Sequence, residues 1–191
     1  LTALKLAEII QQADLPPGVV NIVTGAGSTG ELIVNHNDVK KIAFTGSTSV
    51  GKSIMKSIAG TSKKSTMELG GKAANIVFDD APLDQAVEGV VNGIYFNQGH
   101  VCCAGSRLLV QESINEIFIR KLRDRIQSLI LGNPLDKNTD IGAVNSKSQL
   151  DTINKYIDIG KNEGAEIFQL NCTIPDKGFW CPPTLFTNVS Q

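Results

Sequence analysis

Two short stretches hold residue types that can do chemistry together. Asn97-Gln98-Gly99-His100-Val101-Cys102-Cys103-Ala104-Gly105-Ser106-Arg107 sets two cysteines among small and polar residues. Upstream, Glu68-Leu69-Gly70-Gly71 sets a carboxylate beside two glycines. A cysteine attacks carbon as its thiolate, and a carboxylate can take a proton or activate a water. The pair reads as a nucleophile and a general base. Gly99, Ala104 and Gly105 leave room for a substrate, while Gln98, His100 and Ser106 bring a polarity unusual for a core segment. Spacing alone leaves open which of Cys102 and Cys103 reacts. Adjacent side chains of an extended loop point opposite ways, so one thiol is expected to face the substrate and the other the core. Glu68, at a strand end, is expected to be partly buried. The plainer readings are an inert buried thiol and a solvated carboxylate.

Two glycine motifs compete for a phosphate-binding role. Gly25-Ala26-Gly27-Ser28-Thr29-Gly30 matches G-x-G-x-x-G after an apolar run, Val19 to Val23. A dinucleotide fingerprint also needs an acidic residue about 20 positions on, ending a second strand. Phe44 to Ser47 offers none, so a glycine turn opening a surface helix is the simpler reading. Gly46-Ser47-Thr48-Ser49-Val50-Gly51-Lys52-Ser53 matches G-x-x-x-x-G-K-[ST] between a predicted strand and helix. Asn75 to Asp79 resembles the apolar strand whose Asp holds magnesium, so a P-loop nucleotide hydrolase using 46–53 is the rival function. Against it, an earlier strand precedes the motif, and the cysteine loop goes unexplained. The alternative is a helix start whose free N–H groups and dipole favour a diphosphate. Lys52 is then a solvated helix residue.

The elements that must position these motifs alternate between helix and strand. A helix is predicted from Thr2 to Ala13, before Pro16-Pro17-Gly18, and a buried strand over Val19 to Val23. Lys41 to Thr45 reads as a second strand. Val50, Ile54 and Ile58 mark a helix closed by Gly60. Asn75 to Phe78 and Arg107 to Gln111 are strand-like. Between them Leu83, Val87, Val90, Val91 and Ile94 share one helical face. Ser113 with Glu116, and Ser146 with Gln149, are capping-box signatures ahead of helices striped by Ile114, Phe118, Leu122, Ile126 and Leu129, and by Ile153 and Ile157. Glu166 to Leu170 reads as an edge strand. This alternation predicts an α/β fold with a largely parallel sheet.

Bulk properties exclude several classes. With 191 residues, 41% of them hydrophobic, there is apolar mass for a real core. A net charge of −1 gives no electrostatic case for nucleic acid or an anionic membrane. No apolar run approaches the roughly 20 residues of a membrane helix. Cys102, Cys103, Cys172 and Cys181 form no C-x-x-C pair, so neither a disulfide framework nor a metal site is expected, and a reducing, cytoplasmic setting fits.

Glu68-Leu69-Gly70-Gly71, the Gln98-Gly99 to Cys102 spacing and Phe44-Thr45-Gly46-Ser47 with Gly51 together resemble the aldehyde dehydrogenase superfamily, of the NAD(P)-dependent hydrolytic type. The resemblance implies that Cys102, three residues after Gly99, is the nucleophile and Glu68 the base. It places NAD or NADP along Gly46, Ser47, Gly51 and Leu69, with Gly25 near the adenine. The implied substrate is a small-molecule aldehyde, oxidised to its acid through a thiohemiacetal and a thioester. It implies two incomplete portions. Residues 1–70 would be the end of a parallel-sheet nucleotide-binding domain, and 71–191 most of an α/β thiol-bearing catalytic domain. The chain would then be a central segment of a longer homo-oligomeric enzyme, expected to be inactive alone. A catalytically silent relative is the other reading kept open.

Overall fold

The structure is a computed structural model that describes residues 1–189; Ser190 and Gln191, at the end of the second expected portion, lie outside the described residues. The chain divides into two compact units, Leu1–Leu69 and Gly70–Gln191.

In the first unit, α1 (Thr2–Gln12) and α2 (Gly27–Asn35) precede β1 (Lys41–Gly46), α3 (Thr48–Ile58) and β2 (Lys64–Leu69). β1 and β2 pair in parallel, from Lys41 opposite Lys64 to Gly46 opposite Leu69. Ile42, Ile54 and Ile58 form a small core, with Val34, Val39, Phe44 and Met67 packed against it. Val50, expected on the buried face of α3, is exposed, and Gly51 is buried in its place. Lys63 donates from Nζ to the carbonyls of Val34 (2.5 Å) and His36 (2.8 Å) at the end of α2. A cation there satisfies carbonyls that the helix leaves unpaired. The strand expected at Val19 to Val23 does not form: Val19, Val20 and Val23 are exposed, in irregular chain. A strand exists only by pairing, and among the described residues none pairs with this run.

In the second unit, β3 (Ala74–Val77) and β4 (Arg107–Val110) pair in parallel across α4 (Leu83–Tyr95). Then come α5 (Asn115–Gln127), α6 (Lys147–Asn162) and an antiparallel pair, β5 (Glu166–Gln169) with β6 (Thr184–Thr187). The fold is mixed α/β, with small sheets in which two pairs are parallel and one antiparallel.

The core of this unit is a seam between α4 and α5. Val87, Val90 and Val91 meet Phe118, Leu122 and Ile126, and the last three are at most 1% exposed. Lys121–Asp84 (2.7 Å) and Arg125–Glu88 (2.6 Å) bridge the same helices at the surface. Exposed pairs contribute about 0–1 kcal/mol each, whereas truncating one buried leucine costs about 2–5 kcal/mol. The apolar seam therefore decides the stability.

Of the two predicted capping boxes, one forms in part. Ser146 Oγ accepts from Gln149 N–H at 3.3 Å. Ser113 instead lies in a 3-10 turn, Glu112–Ile114, and its Oγ contacts Gln111 Nε2 at 3.1 Å. Gln111 also donates to Asp79 Oδ2 (2.8 Å) and accepts from Asp79 N–H (3.1 Å), tying the ends of β3 and β4. The Ser113 hydroxyl thus serves Gln111 and not the helix, and α5 starts after Ile114 without a side-chain cap.

Leu122→Ala should lower the unfolding free energy by about 2–5 kcal/mol. Urea denaturation of the two proteins checks this.

Candidate active site

The thiols sit on a turn, not on an extended loop. Ala104 N–H donates to Val101 O at 3.0 Å, which puts Cys102 and Cys103 at the two central positions. Both are exposed, correcting the expectation that one would point inward. At the corner of a turn the two-sided alternation of extended chain no longer applies. Cys172 and Cys181 are half-buried. Burial pushes the Cys181 thiol up from its ordinary value, because desolvation disfavours the thiolate.

The turn is anchored on its downstream side. Gly105 N–H donates to Gly93 O of α4 at 2.9 Å, and Asn75 Nδ2 of β3 donates to Gly105 O at 3.1 Å. A Cβ on Gly105 would stand 2.1 Å from Asn75 Nδ2, so only glycine fits. Ala104 is buried at 7% exposure. Gly71 lies against the turn as well: a Cβ there would stand 3.0 Å from Cys102 O. Asn75 was not singled out in the sequence. A polar residue inside an apolar strand, Asn75-Ile76-Val77, was the available signal. Arg107 Nε donates to Lys72 O at 2.9 Å. His100 is exposed.

Upstream, α4 ends at Tyr95, whose hydroxyl donates to Thr184 O at 3.2 Å. The phenol is pushed well above its ordinary pKa, first by burial and then by the Cys181 thiol beside it.

In the first unit, Glu68 occupies the end of β2 and is exposed, while Met67 and Leu69 are half-buried. The partial burial expected of it is not found, because the two-residue strand period sends Glu68 to the face opposite its neighbours. Among the described residues Glu68 takes part in no ion pair.

β1 runs into α3 through Ser47 alone. Ser47 is the N-cap, accepting from Val50 N–H at 3.3 Å. α3 carries no acidic residue in its first turn, so no carboxylate there repels an anion at its positive end. A Cβ on Gly46 would stand 2.5 Å from the Phe44 ring, and one on Gly51 2.5 Å from Leu69 Cδ2. Gly51 is buried and its N–H already serves Ser47 O at 3.0 Å. Its task here is to let α3 lie close on β2. Gly25 precedes α2, where a Cβ would overlap Thr29 Oγ1. The P-loop reading does not survive this geometry. The motif is helical from Thr48, leaving no wrapped loop to cradle phosphates, and Lys52 is an exposed residue inside the helix.

Two exposed thiols on an anchored turn of a mixed α/β fold define the class of protein, and sequence comparison names its family. The sequence model of the aldehyde dehydrogenase family matches residues 1–191, and the chain belongs to that family. It is 48% identical to an aldehyde dehydrogenase of Alternaria alternata and 45% identical to one of Davidiella tassiana, covering 100% of this chain and 39% of each relative. Among solved structures it superposes on a variant of the Bacillus cereus aldehyde dehydrogenase with a TM-score of 0.95 at 41% identity. That match covers 100% of this chain and 39% of the other. A Staphylococcus aureus betaine aldehyde dehydrogenase in complex with NAD+ gives 0.92 at 40%, again over 100% and 39%. The chain thus spans about two fifths of the length of these relatives.

Iodoacetamide should label Cys102 and Cys103 well before Cys172 and Cys181. Labelling of Cys181 should lag until the pH rises above the ordinary thiol range, because only the thiolate reacts. Peptide mass spectrometry across a pH series reads each site.

Proposed function

We propose that this chain is the central part of an enzyme that oxidises an aldehyde to a carboxylic acid, with Cys102 as nucleophile and Glu68 as general base. Residues 1–70 then close an NAD(P)-binding domain, and residues 71–191 make up most of the thiol-bearing domain. The observation that carries this reading is the anchored turn. Cys102 is exposed on a segment whose downstream end is held by Gly93, Asn75 and buried Ala104, in a chain of this family.

The residues present suit a dinucleotide. The free N–H groups at the start of α3, beside Gly46 and Ser47, suit its diphosphate. Leu69, ending β2, would lie near the nicotinamide, and Gly25 near the adenine. When bound, NAD(P)+ supplies a hydride acceptor.

Cys102 thiolate adds to the aldehyde carbon, forming a C–S bond and moving the carbonyl π electrons onto oxygen. The Cys102 backbone N–H would steady that oxyanion. Loss of hydride from this adduct leaves a thioester on Cys102. Glu68 then takes a proton from water, whose oxygen attacks the thioester carbon. The C–S bond breaks, the carboxylic acid departs, and the cysteine returns as thiolate. The free thiols suit a reducing compartment such as the cytoplasm.

The decisive experiment uses the full-length gene product, an aldehyde and each dinucleotide in turn. Cys102→Ser should abolish NAD(P)H formation, while Cys103→Ser should retain it. Glu68→Gln should give a single burst of NAD(P)H and leave an acyl mass on Cys102. Steady turnover by Cys102→Ser would sink the nucleophile assignment. A Glu68→Gln variant that turns over normally would remove Glu68 as the base.

A further inference from the structure

Cys102 follows a short segment that is hard to build. Asn97 (φ 49, ψ 39), Gln98 (φ 55, ψ 29) and Gly99 (φ 75) are three consecutive left-handed residues. That conformation is unfavourable for an L-residue unless it is glycine, asparagine or aspartate. Asn97 and Gly99 belong to the permitted types. At Gly99 a Cβ would also stand 3.2 Å from Ile94 O. Gln98 has no such allowance. The other non-glycine residues with positive φ among those described are Asp14, Asn97 and Asn188, so Gln98 is the exception in kind. Something outside the segment must hold it.

The local bonds do not suffice. His100 N–H donates to Asn97 O (3.0 Å) and Asn97 Nδ2 donates to His100 O (3.2 Å). Both stay within the loop and tie it to nothing else. Gln98 reaches out. With its amide oriented to satisfy both neighbours, Oε1 accepts from Gly142 N–H at 3.0 Å and Nε2 donates to Asn97 O at 3.2 Å.

Gly142 is a firm anchor. It follows Ile141, 3% exposed, which bridges Leu131 in parallel and donates to Ile130 O at 3.0 Å. Val144, 4% exposed, donates to Phe179 O at 2.7 Å. Asp140 Oδ2 accepts from Ile130 N–H at 2.8 Å, closing the same loop. The thiol turn is therefore held downstream by Gly93 and Asn75, and upstream by one side-chain amide.

Resting on the reading of Cys102 as nucleophile, we infer that Gln98 is a positioning residue. Its amide clamps the left-handed run to Gly142 and so fixes the turn that presents Cys102. Gln98 acts through the backbone and touches no reacting atom.

The test uses the full-length protein and site-resolved alkylation by iodoacetamide, with kcat and KM measured in parallel. Gln98→Met keeps the chain length and removes the amide. It should erase the preference for labelling Cys102 over Cys103 and lower kcat about ten- to a hundredfold, as expected for a slightly misplaced reacting group. KM for the dinucleotide should not change. A Gln98→Met protein that keeps both the preference and kcat overturns the clamp, even if its Tm falls, because that is a stability role only. Should Gln98→Met fail to fold, Gly142→Ala reads the clamp from the other side. A Cβ there would stand 3.2 Å from the Gln98 amide atom that faces it, Oε1 in this orientation, and Gly142 is not in a positive-φ conformation. An unchanged preference in Gly142→Ala then overturns the proposal. Labelling needs no aldehyde turnover, so the two readings separate. Wild-type protein that labels Cys102 no faster than Cys103 overturns the nucleophile assignment and the clamp with it. A wild-type preference that survives Gln98→Met overturns the clamp alone.

Discussion

The packing of α4 on α5 is the constraint on which the second unit depends. Phe118, Leu122 and Ile126 are almost wholly removed from water against Val87, Val90 and Val91. This fixes where α4 ends, and the thiol turn hangs from that end. Gly93 O receives Gly105 N–H, and Tyr95 reaches across to Thr184 O. The surface ion pairs between the same helices add direction but little free energy. A loop has few contacts of its own, so its geometry is borrowed from the rigid elements that hold its ends.

Close backbone approach is the second theme, and glycines make it possible where it counts. Gly105 accommodates the Asn75 amide, Gly71 lies against the Cys102 carbonyl, and Gly51 lets α3 settle on Leu69. Each position excludes a Cβ for a different reason, although all three look alike as letters. Gly51 sits inside what reads as a phosphate-loop motif, yet its surroundings are Leu69 and the helix backbone. A motif specifies residue types, and only the chain around it decides whether those types meet a ligand or a neighbour.

Much of the order of elements was legible in the sequence because period is a local property. The stripe on α4 and the Ser146 cap follow from residues a few positions apart. Val19 to Val23 has strand composition, but no described strand pairs with it. Ser113 has a capping signature, but its Oγ accepts from Gln111, which also bonds Asp79. Glu68 was expected to be partly buried and is exposed, because the strand period puts it on the face opposite half-buried Met67 and Leu69. Cys102 and Cys103 were expected to point opposite ways, and a single Val101–Ala104 hydrogen bond turns both outward.

The sequence by itself determined the family, the α/β alternation, and the residue types that can attack, deprotonate and bind an anion. These depend on identity and short spacing, which a linear chain displays in full. Only the tertiary structure decided which glycine meets a distant neighbour, and that Gln98 reaches Gly142, far along the chain. The physical reason is that hydrogen bonds and burial are contacts between distant residues. Their partners are chosen by how helices and strands pack, and no local pattern encodes that choice.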